Sequence, residues 1–361
     1  MRESFFVFNN PGKKIGYITS QFIQGARLAG CSVSTNVETF DSDGRFCAGN
    51  LGNYGITFKP RPNVSDIIVI DETRSLSVEA DVGQTSLNYY SNLQNNFKTA
   101  LIYSNDDVNH ITFPTNIAVF LPHQIKGFTK NSYAFPVPWG FTVEGFELAE
   151  AKIKSRERIN NIIINFNPTH RQTVRESLMA AIETSVLKGL TFDKRQLFDS
   201  GYAEQLSEAK FILAVGGAYH WPKSDYDYLR SRMTEREIWL EEFPLRTRTV
   251  GITRWDSFRF WEAIAFGCLP IQLDFEIYGF DLPIVPEKWL HYIPVDLANI
   301  AQSLSQLADF YSSPDLFNYC STSAMAWAKT VAHPSCLFAY IVDKVNGIYK
   351  NLHKECHIAV A

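Results

Sequence analysis

The chain has 361 residues, of which 45% are hydrophobic and 20% charged, and its formal net charge is −4 at pH 7. That length exceeds one ordinary core and fits two domains of about 150 to 200 residues each. The composition excludes a disordered chain, and without a block of five or more basic residues a dedicated nucleic-acid surface is not advertised.

Six cysteines, Cys31, Cys47, Cys268, Cys320, Cys336 and Cys356, are scattered without a C-x-x-C pair or metal-ligand spacing, so buried free thiols are expected. The opening RESFFVFNNPGKK holds an apolar run too short for a signal peptide or anchor, and no later run approaches a membrane span. A cytosolic protein is therefore expected. IGYITSQFIQGARLAGCSVSTNV places apolar residues at Ile15, Ile18, Phe22, Ile23, Ala26 and Leu28, then Gly30, then an alternating stretch: helix, stop, strand. SDIIVIDETRS reads as a buried strand ended by Asp71 and Glu72, NYYSNLQNNF as a short helix, and KTALIYSNDDVNH as another strand. Carboxyl ends of parallel strands face the ligand crevice, which makes Asp71, Glu72, Asp106, Asp107 and His110 the candidates of this half.

NIAVFLPHQ and SYAFPVPWGFT close the first half, and the domain boundary falls near residues 140 to 155. RERINNIIINFNPTHRQTVRESLMAAIETSVLKG reads as strand, loop, helix, and its loop brings His170, Arg171 and Arg175 to a helix N-terminus where a phosphate is favoured. In YAEQLSEAKFILAVGGA a helix precedes a strand that ends at Gly216 and Gly217, which either admit a nucleotide close to the backbone or make a simple turn. After an aromatic and charged insertion, expected to be a helical flap, comes RWDSFRFWEAIAFGCLPIQLDFEIY. Asp256 or Ser257 is expected to cap its helix, Gly267 to stop it in the left-handed conformation, and LPIQL to form the next buried strand. Arg259 and Glu262 lie three apart on one face near the positive end of the helix dipole, as an anion and ribose site requires; the alternative is an ion pair on a solvated face. From Leu297 onward two more helices are expected.

SFRFWEAIAFGCLPIQL, followed by FDLPIVPEKWLHYIPVDLANIAQSLSQL, resembles the donor-binding segment of exostosin-type glycosyltransferases, which runs S-F-R-x-x-E-A-x-x-x-x-C-x-P-V. The layout is also similar to that of phage DNA β-glucosyltransferase, where an R-x-W-E-T segment occupies this place. Both resemblances imply an α/β protein of GT-B class, two Rossmann-like domains facing across a cleft. The first would be an acceptor-side domain over 1–145, the second a nucleotide-sugar domain over 150–345, and 346–361 a tail packing back on the first. The chain departs from the family in the arginine loop, where Asn167 and Pro168 replace a glycine, and in lacking a membrane anchor, which points to a bacterial, viral or trimmed version.

The resemblance implies sugar transfer from a nucleotide sugar, UDP-linked, to a glycan hydroxyl with inversion. Arg171, Arg175 and Arg259 would meet the leaving diphosphate, Glu262 the ribose, and Ser257, Gly216 and Gly217 the rest of the donor. Asp106, placed after TALIY much as the phage enzyme places its aspartate, is the expected general base, with Asp107, Glu72 and His110 as the other candidates. Two D-x-D triplets occur, Asp41 to Asp43 and Asp225 to Asp227, but neither follows a buried strand and no metal is expected. The other readings are a DNA-modifying enzyme of the phage kind and a non-catalytic carbohydrate-binding protein of the same fold.

Overall fold

The computed structural model describes residues 3–8, 15–36, 56–63, 66–72, 98–104, 117–126, 133–153, 158–166, 173–184, 189–216, 218–220, 251–307 and 312–358. The chain divides into two compact units, Met1–Gly145 with Thr330–Ala361, and Phe146–Lys329. Thr330–Ala361 is thus grouped with the first unit.

Unit 1 opens with β1 (Ser4–Phe8) and α1 (Tyr17–Leu28), followed by β2 (Ser32–Thr35), β3 (Thr57–Phe58), β4 (Ile67–Glu72), β5 (Thr99–Tyr103), β6 (Ala118–Leu121) and β7 (Ala134–Pro136). These strands form one parallel sheet in the order β3-β2-β1-β4-β5-β6-β7. The short apolar run SFFVF, too brief to be more than an opening on sequence, is therefore a central strand, hydrogen-bonded to β2 on one side and β4 on the other. Its neighbours on both edges and both faces explain why five residues suffice.

Burial on both faces is what a parallel sheet requires, and the two-residue period sorts the side chains. Phe5, Val7, Ile67, Val69, Ala100 and Ile102 pack under α1 and the helix Pro334–Ile358, whereas Ile68, Ile70, Leu101 and Tyr103 build a second cluster on the other face. Phe5, Phe22 and Phe338, one from the sheet and one from each helix, meet with ring centroids 5.3 to 5.4 Å apart. The two helices cross at Gly25, where an added Cβ would fall against the Pro334 carbonyl oxygen and 2.5 Å from Phe338 Cβ. Gly25→Ala is expected to destabilise the protein by about 1 to 3 kcal/mol, because overpacking against backbone outweighs the ~1 kcal/mol gained in helix propensity. A urea midpoint at or above wild type would contradict this.

α2 (Val143–Lys152) spans the boundary at residue 145, and unit 2 then holds β8 (Ile159–Ile163), α3 (Thr173–Thr184), β9 (Thr191–Asp193), α4 (Asp199–Glu208), β10 (Ala209–Leu213), β11 (Ala218–His220) and β12 (Gly251–Thr253). It continues through α5 (Phe258–Ala265), β13 (Leu269–Leu273), β14 (Ile293–Val295), α6 (Ile300–Ser305) and α7 (Pro314–Ala332), whose last turn crosses the second boundary. Among the described residues the region after Leu297 includes the helices Ile300–Ser305, Pro314–Ala332 and Pro334–Ile358, where two were expected. Five strands form a parallel sheet in the order β14-β13-β10-β8-β9. β11 and β12 pair antiparallel, Ala218 with Thr253 and His220 with Gly251, so the two ends of the 221–250 insertion are brought together. The insertion itself, where a flap was expected, lies outside the described residues, as do both D-x-D triplets and the expected helix over 88–97.

α5 ends as its sequence predicts. Gly267 sits at φ 72°, Gly267 N donates to Ile264 O at 2.9 Å and Cys268 N to Ala263 O at 2.9 Å, the paired bonds of a left-handed C-terminal stop.

Candidate functional site

Renumbered from the first strand of unit 2, the sheet order is 2-1-3-4-5, so the chain reverses its direction of travel between β8 and β10. Helices leave a doubly wound sheet on opposite faces at such a point, and the crevice beyond the carboxyl ends of the two strands is where ligands bind. Beyond β8 come Ile164, Asn165 and Phe166; beyond β10 come Ala214, Val215 and Gly216.

Three of the sequence-predicted donor residues converge on the backbone of these two strand ends. Arg259 Nε donates to the Asn165 carbonyl at 2.5 Å, Arg175 Nε to the Val215 carbonyl at 2.9 Å, and Ser257 Oγ to the Ala214 carbonyl at 3.1 Å. Arg175 comes from the first turn of α3 and Arg259 from the first turn of α5, so the starts of two helices are fastened to neighbouring strands. Each arginine bond uses one of the five N–H donors that a guanidinium carries in its planar fork. Arg175 is buried, with its guanidinium 4.8 Å from the centroid of Phe166. Burial, and then the neighbouring charge of Arg259, bring its pKa down to about 10. Arg175 thus remains a cation at neutral pH with the charge of Arg259 close enough to disfavour its own, an arrangement that an anion beside them relieves.

Gly216 serves by lacking a side chain. An added Cβ would lie 2.8 Å from the Arg254 carbonyl oxygen and 2.9 Å from that of Trp255. The residue permits a close approach of two backbones, and Arg254 completes that approach in the left-handed region at φ 56°. Gln272 Nε2 reaches the same turn, donating to Trp255 O at 3.1 Å.

The helix cap differs from expectation. Ser257 occupies the N-cap position with extended backbone but makes no side-chain cap bond, its hydroxyl being used on Ala214. Asp256 is buried and its Oδ1 accepts from Trp261 Nε1 at 2.8 Å. Tying the helix to the strand end takes the Ser257 hydroxyl away from the helix N–H groups, and Asp256 satisfies a buried indole of the same helix.

Glu262 is only 4% exposed, which removes the solvated-face reading. Glu262 lies near Tyr202 on α4, where burial and then the charge of Glu262 push the phenol well above its ordinary pKa. Sequence reasoning passed over Tyr202, Asn165 and Phe166. The first opens the helix before β10 and the other two end the strand before the arginine loop, so proximity to the two strand ends was the only available signal. Arg171, His170 and Gly217 lie outside the described residues.

In unit 1, Asp106, Asp107 and His110 also lie outside the described residues, and Glu72 ends β4 opposite Tyr103. Asp71 is not a crevice acid. It is 4% exposed, its Oδ2 accepts Gly16 N at 2.9 Å and its Oδ1 accepts Thr19 Oγ1 at 2.7 Å, so it caps the start of α1 from the neighbouring strand. Alternation along β4 places it on the same face as Val69, under α1, which is why the helix and not solvent receives it.

Among the described residues no group of three His, Cys, Asp or Glu side chains is placed to hold a metal ion, and no helix is long and apolar enough to cross a membrane.

No protein-family profile matches the chain, and no curated protein matches it. Solved structures do. A glycosyltransferase from Rickettsia africae is 11% identical over 97% of this chain and 99% of its own, with a TM-score of 0.53. HepE from Anabaena, solved in complex with UDP, is 10% identical over 96% of this chain and 100% of its own, with a TM-score of 0.51. The fold is that of the GT-B glycosyltransferases. An α-glucosyltransferase solved with UDP-glucose and DNA is also similar, at 10% identity and a TM-score of 0.48, too distant to bear on this chain's ligands. At such identities it is the mixed α/β GT-B architecture with parallel sheets that is shared.

Proposed function

We propose that this GT-B chain transfers a sugar from a UDP-sugar to a hydroxyl group, with the nucleotide diphosphate held at the switch point of unit 2. The observation that carries the reading is the pair of guanidiniums, Arg175 and Arg259, anchored to the carbonyls of Val215 and Asn165 at adjacent strand ends. Sugar transfer breaks the bond between the anomeric carbon and the diphosphate oxygen, and negative charge grows on the departing UDP. Fixed cations at that oxygen stabilise the transition state more than the ground state, since they need no reorganisation as charge develops. Two guanidiniums are a sufficient counter-charge for a diphosphate, so turnover is expected to survive a chelator. The S-F-R-x-x-E order supports the exostosin-like form of this reading, and the UDP complex of the Anabaena protein names the nucleotide to try first.

Calorimetry and thermal denaturation with UDP, GDP and ADP test the reading. UDP is expected to raise the melting temperature, since saturation at a hundredfold excess over Kd adds about 2.7 kcal/mol of stability. A chain stabilised by none of the three does not use a UDP-, GDP- or ADP-sugar, which overturns the reading.

The acceptor reading is a glycan hydroxyl, in keeping with the net charge of −4. An inverting course needs a base, and Asp106 is proposed for it. Asp106→Asn is expected to cut turnover about 100-fold or more with UDP affinity unchanged. A parallel loss of UDP affinity would instead make Asp106 a support of the site.

A further inference from the structure

We infer that Arg158, at the end of the unit 2 sheet opposite the candidate site, is a positioning residue that sets where Arg259 meets the nucleotide diphosphate. The inference rests on the reading just given. Arg158 immediately precedes β8, and its guanidinium bonds three backbone carbonyls: Nη1 donates to Leu206 O at 3.0 Å and to Ala209 O at 2.7 Å, and Nη2 donates to Phe266 O. Ala209 is the C-cap of α4 and Phe266 the C-cap of α5, so one cation closes the negative ends of two helices. These are the helices that carry Tyr202 and the pair Arg259 and Glu262.

The opposite end of α5 is fastened to the same strand. Arg259 Nε bonds Asn165 O just beyond the carboxyl end of β8, while Arg158 bonds Phe266 O just before its amino end. Strand and helix run antiparallel, bolted at both ends by an arginine, and α5 has little freedom to slide along β8 or to tilt away from it. The lower bolt has no slack. Gly267 follows Phe266 at φ 72°, and an added Cβ there would stand 2.8 Å from Arg158 Nη2 and 3.1 Å from Ser321 Oγ. Ser321 of α7 itself donates to Gly267 O at 2.7 Å. A short helix of eight residues anchored this way transmits the placement of its last turn to its first, so the side chain of Arg158, remote from the ligand, decides the angle at which the guanidinium of Arg259 is offered.

The test compares UDP with uridine, which lacks the diphosphate, by titration calorimetry on the full chain. Arg158→Met is expected to weaken UDP about tenfold, the size of effect that coupled positions show, and uridine, which meets Glu262 but not Arg259 on the same helix, by about twofold or less. In an Arg259→Ala background the same substitution should weaken UDP no more than it weakens uridine. Arg158→Lys, which restores the charge but not the fork, should fall between Met and wild type. Should Arg158→Met fail to fold, Arg158→Lys and Gly267→Ala, which crowds Nη2 directly, read the same difference between UDP and uridine. Equal losses for UDP and uridine, or an undiminished effect in the Arg259→Ala background, would overturn the positioning role. If wild type binds UDP and the Arg158 variants bind it equally well, the inference fails alone. A wild-type chain without UDP affinity overturns the proposed function and this inference with it.

Discussion

Arg259→Ala is expected to weaken UDP binding and to lower kcat/KM by about 2 to 4 kcal/mol, the range seen when a fixed charge or donor is removed from a developing anion. The side chain leaves the Asn165 carbonyl without its 2.5 Å donor and takes one of two cations from the switch point. Arg175, whose pKa is brought down to about 10 by burial and in part by Arg259, then rises and remains the only anchored guanidinium of the pair. Uridine affinity should change little, because the lost contact belongs to the diphosphate. The measurement is UDP affinity by calorimetry with kcat/KM at subsaturating donor. Unchanged values for both would make α5 a purely structural helix and remove the basis of the proposed function.

Trp255→Ala is expected to destabilise the protein by about 3 to 5 kcal/mol. The indole is fully buried, stacks on Phe280 at a centroid distance of 4.6 Å and 9° between planes, and meets Phe275 edge-on at 5.1 Å. Its deletion removes transfer energy and ring contacts and leaves a cavity between chain segments that are close-packed. Because the Trp255 carbonyl also receives Gln272 and abuts Gly216, the turn that leads into Ser257 and Arg259 loses its footing at the same time. Urea denaturation should show a lower midpoint with an unchanged slope. A shift corresponding to less than 1 kcal/mol would mean that the surrounding rings collapse to fill the space.

Much of the site was legible because its residue types sit where short-range rules place them. A serine, an arginine and a glutamate within six residues, a glycine after the last apolar residue, and LPIQL beyond it specify helix, stop and buried strand without any distant contact. The arginine at the third position of the helix after a strand is readable in the same way. What periodicity could not tell was direction. Five residues, SFFVF, have no context of their own to mark them as an interior strand of a seven-stranded sheet. Asp71 and Glu72 end one strand and look alike on paper, yet alternation in the folded sheet sends Asp71 under α1 to accept from Gly16 and Thr19.

Local sequence thus determined which elements exist, where α5 stops, and that cations gather at helix starts in the second half. The tertiary structure alone decided the strand order, and with it the switch point that brings the ends of β8 and β10 together although 46 residues separate Ile163 from Ala209 along the chain. It also decided that Ser257 ties a strand and does not cap its own helix, that Glu262 faces Tyr202, and that Arg158 holds two helix ends at once. Each of these is a bond between groups distant in sequence, and no local pattern encodes its partner, because the partner's position follows from how whole helices pack on the sheet.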